Sequence, residues 1–439
     1  MNSLINRIFH ASLLLLAISA ITENALADQS DTHPPSPIPI ILTGNDIVGP
    51  FIAEALERNP GLQAFDLRYQ AARESIASSR ALPNPRVQLT HFVESIQTRT
   101  GPQRQAIQLQ QPILWHGKRA RMQDASQAQA ESLWHAYSAQ QFDIVQEISQ
   151  LVLDIAYLDK AIAFTLEQTR LLQQLNSIVE ERVKSGGALN ELLRLQVETQ
   201  RFEDLVANQR TQRFSAAVKL EAILGRQYEE PIIEFEWEAP NDLIQDSSLW
   251  LPSVQERNPK IAILRALENS QEARKRIAKL TNKPDFTVGL NYLRTGDALN
   301  PSASGSGKDP WALMVGVSLP IWSKANNAIV MQASLQKEAI ASQINEQKLL
   351  LNSQARTWIA RLEDSQQRIQ RYETKLLPIA RQARDIFESN FRTNKASLLD
   401  LFDSERTLIE LETQYWRAAA DAWVARWKLA TLSGGLWLN

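Results

Sequence analysis

Between Lys118 and Lys184 there is neither a glycine nor a proline. Read as one helix, that tract would reach roughly 100 Å at 1.5 Å of rise per residue, well beyond the span of an ordinary domain. A second tract, Lys324 to about Thr393, is similar and is interrupted only by Pro378, where the missing N–H predicts a kink; the matching site of the first tract, Arg170, predicts none. Ala188–Leu224 and Ala396–Ser433 read as return helices, with Gly225 and Gly434 suited to cap their C-termini. In the last helix Leu401, Leu408, Tyr415, Ala422 and Leu429 recur every seven residues beside Ser404, Leu411, Ala418, Ala425 and Leu432. A heptad seam with so many small residues lets neighbouring helices pack closely.

The chain is also written twice. "ERNPGLQ" at Glu57 recurs as "ERNPKIA" at Glu256, and the same spacing carries Pro85 onto Pro284. Each Asn-Pro opens a helical stretch, Leu62–Leu82 and Ile261–Lys283, with proline near its first turn. Further on, Pro112, Ala188 and Leu224 correspond to Pro320, Ala396 and Leu432 at a spacing longer by about nine residues, an insertion that falls in the loop-like "TGDALNPSASGSGKDP". Each copy reads helix, two strands, long helix, turn, long helix. The strands fall near Val87–Val93, Gln105–Gln111, Phe286–Tyr292 and Trp311–Leu319, all of which alternate. Within the first pair the connection is the polar "ESIQTRTGPQR". The expected fold is mainly α with a small β part.

The boundaries read from this pattern are a signal peptide over 1–27, a Pro-rich N-terminal arm over 28–45, a first repeat over 46–230, a linker over 231–249, a second repeat over 250–435 and a tail over 436–439. The signal peptide rests on Arg7, the apolar run Ile8–Ile21 and the small-x-small site Ala25-Leu26-Ala27. The run is too short for a membrane-spanning helix, and no later stretch approaches the length required.

Composition excludes several chemistries. Cysteine is absent, so there are no disulfides, thiolate metal sites, cysteine nucleophiles or N-terminal lipid anchor on Cys. The net charge of −2 carries no nucleic-acid footprint. The five histidines (His10, His33, His91, His116 and His135) are scattered, with no ligand cluster; His91 and Glu94, three apart in a strand, are expected on opposite faces. No nucleophile–base motif or phosphate-binding glycine loop occurs. The expectation is no enzyme, no cofactor and no bound metal; any metal would be cargo.

Two readings compete for the strands. They could form a small soluble sheet covered by helices, or a membrane sheet. The polar positions are rich in Gln, Thr, Asn and Gly, which suits a wet lumen. Trp115, Tyr292, Trp311 and Trp322 stand at strand ends, where membrane barrels carry aromatic girdles. A barrel needs about eight strands or more to close, and an open edge cannot face lipid, so four strands would have to be joined by those of other copies.

Several motifs then resemble the outer-membrane efflux (TolC) family: "ALPNPRVQL" (Ala81–Leu89), "QPILWHGKRARMQDA" (Gln111–Ala125), "LPIWSKANNAI" (Leu319–Ile329), "KLLPIA" around Pro378, and most specifically the closing segment from Phe391 to Gly434. The Gly-Lys-Arg after the second strand resembles the heavy-metal and related cation efflux branch. The resemblance implies a homotrimer in which long α-helical hairpins form a periplasmic barrel and three chains supply four strands each to one 12-stranded transmembrane β-barrel in outer-membrane lipid. It implies partnership with a periplasmic adaptor (membrane fusion protein) and an inner-membrane pump of RND type. The function implied is the passive exit channel of a tripartite efflux system, metal cations among its candidate cargoes. A conduit for type I protein secretion and a periplasmic coiled-coil spacer remain as alternatives.

The same resemblance points to two hairpin tips as the periplasmic entrance and adaptor contact: Gly186, Gly187, Leu189 and Glu191 on one, Arg392, Asn394, Lys395 and Ser397 on the other. It makes Asp400 and Asp403 a periplasmic gate of acidic rings. The plainer alternative is that both are acids at a helix start, where they suit the dipole. Arg392 and Lys395 are expected to pair with these aspartates or with Glu191, or simply to lie on the surface. Departures from the family pattern are the absent N-terminal cysteine, Asn394 where glycine is usual (Asn also tolerates the left-handed region), Trp115-His116 where a smaller pair is usual, and Leu192 in the first tip where the second has Asp400.

Overall fold

In the computed structural model the described residues are 47–186, 188–226, 237–240, 249–300, 302–393 and 395–435. They belong to one structural unit; a second, Met1–Pro39, lies outside them. The expected signal peptide and arm, most of the 231–249 linker, Gly187, Asn394 and the tail also lie outside the described residues.

The element order runs twice: α1 (Gly49–Arg58), α2 (Pro60–Arg80), β1 (Arg86–Thr98), β2 (Gly101–Ile113), α3 (Lys118–Lys184) and α4 (Leu189–Leu224), then α5 (Trp250–Arg257), α6 (Pro259–Leu280), β3 (Asp285–Thr295), β4 (Trp311–Ser318), α7 (Ser323–Arg371), a π-turn (Tyr372–Leu376), α8 (Leu377–Arg392) and α9 (Leu398–Leu432). The short helices α1 and α5 are additions to the sequence reading.

The Asn-Pro signals act as expected. Asn59 and Asn258 are N-caps whose side chains accept from the backbone N–H of Leu62 and Lys260, with proline in the first turn. Each also donates backwards, Asn59 to the Ile223 carbonyl at 2.7 Å and Asn258 to that of Leu432 at 2.9 Å, so the start of one helix is fastened to the end of another in both repeats. Gly225 (φ 72°) and Gly434 (φ 71°) sit in the left-handed region beside these joints. A Cβ on Gly434 would stand 2.7 Å from the Arg257 carbonyl oxygen, so only glycine fits there.

α3 is one continuous helix of 67 residues, unbroken at Arg170. Its counterpart is interrupted, but the break begins at Tyr372, ahead of Pro378. Pro378 has no N–H for the carbonyl four residues back, and the five-residue π-turn preceding it absorbs the mismatch.

The largest core is built where α3 passes α9: Ile148, Val152, Ile155 and Ala156 meet Ala418, Ala422, Ala425 and Leu429, closed off by Leu220 and Leu224 of α4 and by Trp250. The alanines bring the backbones together. Each fully buried Ile or Leu contributes about 1.5–3 kcal/mol, so stability is spread along the helices.

The strands form one antiparallel meander in the order β1-β2-β3-β4. The connection "ESIQTRTGPQR" is mostly strand and not loop: pairing continues to Thr98 opposite Gly101, leaving Arg99 and Thr100 as the turn. A register shift between His91 and Ile96 hides this from a period-two reading. It also ends the alternation on which the opposed faces of His91 and Glu94 rested.

Candidate functional site

The register fixes what each face of the sheet carries. Across one face Val87 and Leu89 lie opposite Leu109 and Ile107, which lie opposite Leu290 and Tyr292, while Gln111 and Ile113 lie opposite Val288 and Phe286; Val317, Val315, Leu313 and Trp311 then lie opposite Phe286, Val288, Leu290 and Tyr292. The other face carries Gln88, Thr90, Gln108, Gln110, Thr287, Asn291, Gly289 and Gly316. The apolar face is open: Leu313 and Val315 each remain 69% exposed and Val87 71%. No helix covers it. A contiguous apolar surface of this extent in water would be an aggregation hazard, and the edges β1 and β4 carry unpaired backbone groups.

The four aromatic residues divide between the two ends. Tyr292 and Trp311 are direct cross-strand partners at the end nearer the long loop, and the Tyr292 hydroxyl is bonded to Asp309. Trp115 and Trp322 lie beyond the other ends of β2 and β4. Trp115 stacks on Phe286 with ring centroids 6.0 Å apart and is half-buried, whereas Trp311 and Trp322 are exposed. Just below, Asp285 accepts from the backbone N–H of Trp115 and from Lys118 Nζ, both at 2.8 Å. This one carboxylate ties the sheet to the start of α3.

The long loop after β3 folds back on the first hairpin. The Gly296 N–H donates to the Pro102 carbonyl at 2.8 Å and the Gly307 N–H to that of Thr100 at 2.9 Å.

At the far ends of the helices, Gly186 (φ 95°) turns α3 toward α4. Leu189, the first residue of α4, is exposed and begins a stripe with Leu193 and Val197. Glu191 lies in that first turn, half-buried. Leu192 packs at the margin of the tip core, whereas its counterpart Asp400 is exposed. In the second tip Ser397 caps α9: its hydroxyl accepts from the Asp400 N–H at 3.2 Å, and Asp400 Oδ2 accepts from the Ser397 N–H at 3.1 Å and its hydroxyl at 2.7 Å. The side-chain bond from Ser397, then the backbone one, holds the Asp400 carboxyl below the usual aspartate value. Asp403 is exposed and stands 3.6 Å from Arg406.

Asp400 and Asp403 therefore share the open face of α9, as their spacing of three requires, while Asp400 also fills the plainer role of helix-start acid. Arg392 does not pair with either aspartate or with Glu191. It bonds Glu388 one turn back at 2.8 Å, because a neighbour on its own helix is within reach at lower entropic cost. Lys395 is exposed, with its backbone N–H on the Asn390 carbonyl.

Other residues join the two tips, and sequence reasoning did not find them. A core of Leu172, Leu175, Val179, Leu195, Phe391, Leu398, Leu401 and Phe402 binds both hairpins. Arg182 lies over the Phe391 ring, 4.1 Å from its centroid, and donates to the Phe391 carbonyl. Buried Glu198 of α4 receives Arg406 of α9 and Arg201, and Glu412 receives Arg381. Apart from Arg201, one turn from Glu198 on its own helix, these partners are far apart in sequence and carry no local pattern. Among the described residues there is no group of three metal-ligating side chains, and no helix is long and apolar enough to cross a membrane.

The sequence profile of the outer membrane efflux protein family matches residues 51–226. The chain is 23% identical over 415 residues to the cobalt-zinc-cadmium resistance protein CzcC of Cupriavidus metallidurans, covering 91% of this chain and 93% of that protein. Its fold superposes on CusC, a protein that forms a transmembrane channel, with a TM-score of 0.74 at 16% identity, covering 93% of this chain and 99% of the other. VceC from Vibrio cholerae gives 0.72 at 17% identity, covering 88% and 96%. The profile covers the first repeat, while the CzcC alignment and the superpositions extend through the second. Through residues 51–226 the chain thus matches the outer membrane efflux protein profile, and over most of its length it shares the fold of CusC and VceC, with an uncovered apolar sheet and long helical hairpins.

Proposed function

We propose that three copies of this chain form the exit duct of a tripartite efflux system, with a periplasmic adaptor and an RND-type inner-membrane pump, and that metal cations are its cargo. The observation that carries the assembly is the uncovered apolar face of a four-stranded sheet with both edges free. In lipid every backbone polar group must be satisfied, so the sheet has to close, and four strands are too few to close alone. Similarity to a cobalt-zinc-cadmium resistance protein supports the cargo. No chemical step is assigned to the chain.

Within this reading Tyr292 and Trp311 form one aromatic girdle and Trp115 and Trp322 the other. The turns around Gly186 and Ser397, with exposed Leu189, meet the adaptor. Asp400 and Asp403 of three chains line the periplasmic mouth and favour cations. The two repeats, 46–230 and 250–435, each supply one strand pair and one helical hairpin.

Cargo is tested by deleting the gene and complementing it. Hypersensitivity to zinc, cobalt or cadmium that the intact chain reverses supports a metal duct. Unchanged metal tolerance together with loss of a secreted protein would favour the secretion alternative.

A further inference from the structure

Glu405 lies on the buried face of α9, with Leu401 and Phe402 one turn before it and Leu408 and Ile409 one turn after. All four are buried, and Glu405 itself is only 4% exposed. No hydrogen bond reaches its Oε2. The buried acids Glu198 and Glu412, on the same stretch of the molecule, both receive arginines. An ionised carboxylate left this way in a core is costly unless a cation answers it.

The charged groups facing it do not supply that answer. From α8 come Arg384, Asp385 and Glu388, and from α3 comes Glu167. Arg384 is shared, 3.0 Å from Asp385 and 4.0 Å from Glu388. Arg406, the next residue in the chain, is turned to Glu198 of α4 and to Asp403. Three carboxylates thus surround Glu405 against one guanidinium, which is ion-paired to two of them and whose buried Nε makes no hydrogen bond.

We propose that Glu405 is a proton-operated latch between α8 and α9: the neutral acid keeps the second hairpin packed, and its ionisation loosens that hairpin close to the Ser397 tip. Burial first, then the neighbouring carboxylates against the pull of Arg384, raises its carboxyl to about 7. The sign follows from linkage. A carboxyl whose folded value lies above its ordinary 4.5 favours the packed state below that value. The advantage falls away as the pH rises toward 7 and is gone above it. A near-neutral change in proton concentration on the periplasmic side would therefore bias the hairpin that carries Asp400 and Asp403. The link to the entrance rests on the tip assignment above; the protonation of Glu405 does not.

The test uses the full-length protein in detergent. Amide hydrogen-exchange protection factors, corrected for intrinsic rates, are measured over 384–392 and 398–409 from pH 5.5 to 8.5. Wild type is expected to lose protection by at least about tenfold across that range, and Glu405→Gln, neutral and nearly isosteric, to hold the low-pH level throughout. Infrared difference spectra of wild type provide a readout that does not need the variant to assemble: a protonated carboxyl band present at pH 5.5 and lost by pH 8.5. Absence of that band, flat protection in wild type, or a Glu405→Gln profile identical to wild type would each overturn the latch. If the latch holds while conductance is independent of pH, the tip assignment fails and Glu405 stands.

Discussion

Asp400 has an observed role and a proposed one. Its carboxylate completes the cap of α9 through Ser397, and it shares an exposed face with Asp403. The two roles separate experimentally. Ser397→Ala removes the cap hydroxyl and should destabilise the first turn of α9 by about 1 kcal/mol, read as faster exchange at Leu398–Leu401, with ion selectivity unchanged. The Asp400 contribution to the cap is present above the ordinary aspartate value of 3.8 and is lost as the pH falls through its lowered folded value, so this fraying should also appear in wild type under acid. Replacing Asp400 and Asp403 together by Ala should weaken cation selectivity and block by multivalent cations from the periplasmic side in single-channel recordings at low salt, where screening is weakest. Unchanged selectivity would return both aspartates to the cap alone.

Legibility was best where one periodicity ran uninterrupted. The 67-residue α3 was readable because nothing in it breaks a helix, and β3 and β4 because apolar and small residues alternate strictly along them. It failed where two signals overlapped. The far half of β1 is polar, bulged and turn-rich, so it read as loop, and α1 and α5 were too short to show a period. The Pro378 break was foreseen, but its form was not: a π-turn reflects hydrogen-bond geometry that no residue type announces. The joint of sheet and helix at Asp285 was equally silent, because its partners Trp115 and Lys118 come from the other repeat. Asp285→Ala should leave the Trp115 N–H unpaired and cost about 1–3 kcal/mol, seen as a lower temperature for dissociation of the detergent-solubilised assembly. The loop after β3, folded on the first hairpin tip, belongs on the cell exterior in this account. The chain has no cysteine, so Ser304→Cys gives a single label site, and Ser304 is exposed. It should react with an impermeant thiol reagent on intact cells; reaction only after the outer membrane is breached would put the loop on the periplasmic side.

For the whole molecule the sequence carried the fold class and the resemblance to outer membrane efflux proteins, because both rest on patterns repeated along the chain. The contacts that join the tips, Arg182 on Phe391 and Arg406 on Glu198, were not legible, since they arise only when the two repeats lie side by side. The same holds one level up: the apolar sheet face is visible in one chain, whereas its proposed closure by further copies is not. In the proposed assembly the open four-stranded sheet is one third of a membrane barrel. The most direct measurement is the native mass of the protein extracted from outer membranes in mild detergent, taken before and after heating and beside its conductance in a planar bilayer. The expected result is a heat-labile trimer that conducts and a heated monomer that does not. A detergent-solubilised monomer that still conducts ions, or a monomer recovered from the soluble periplasm, would contradict it.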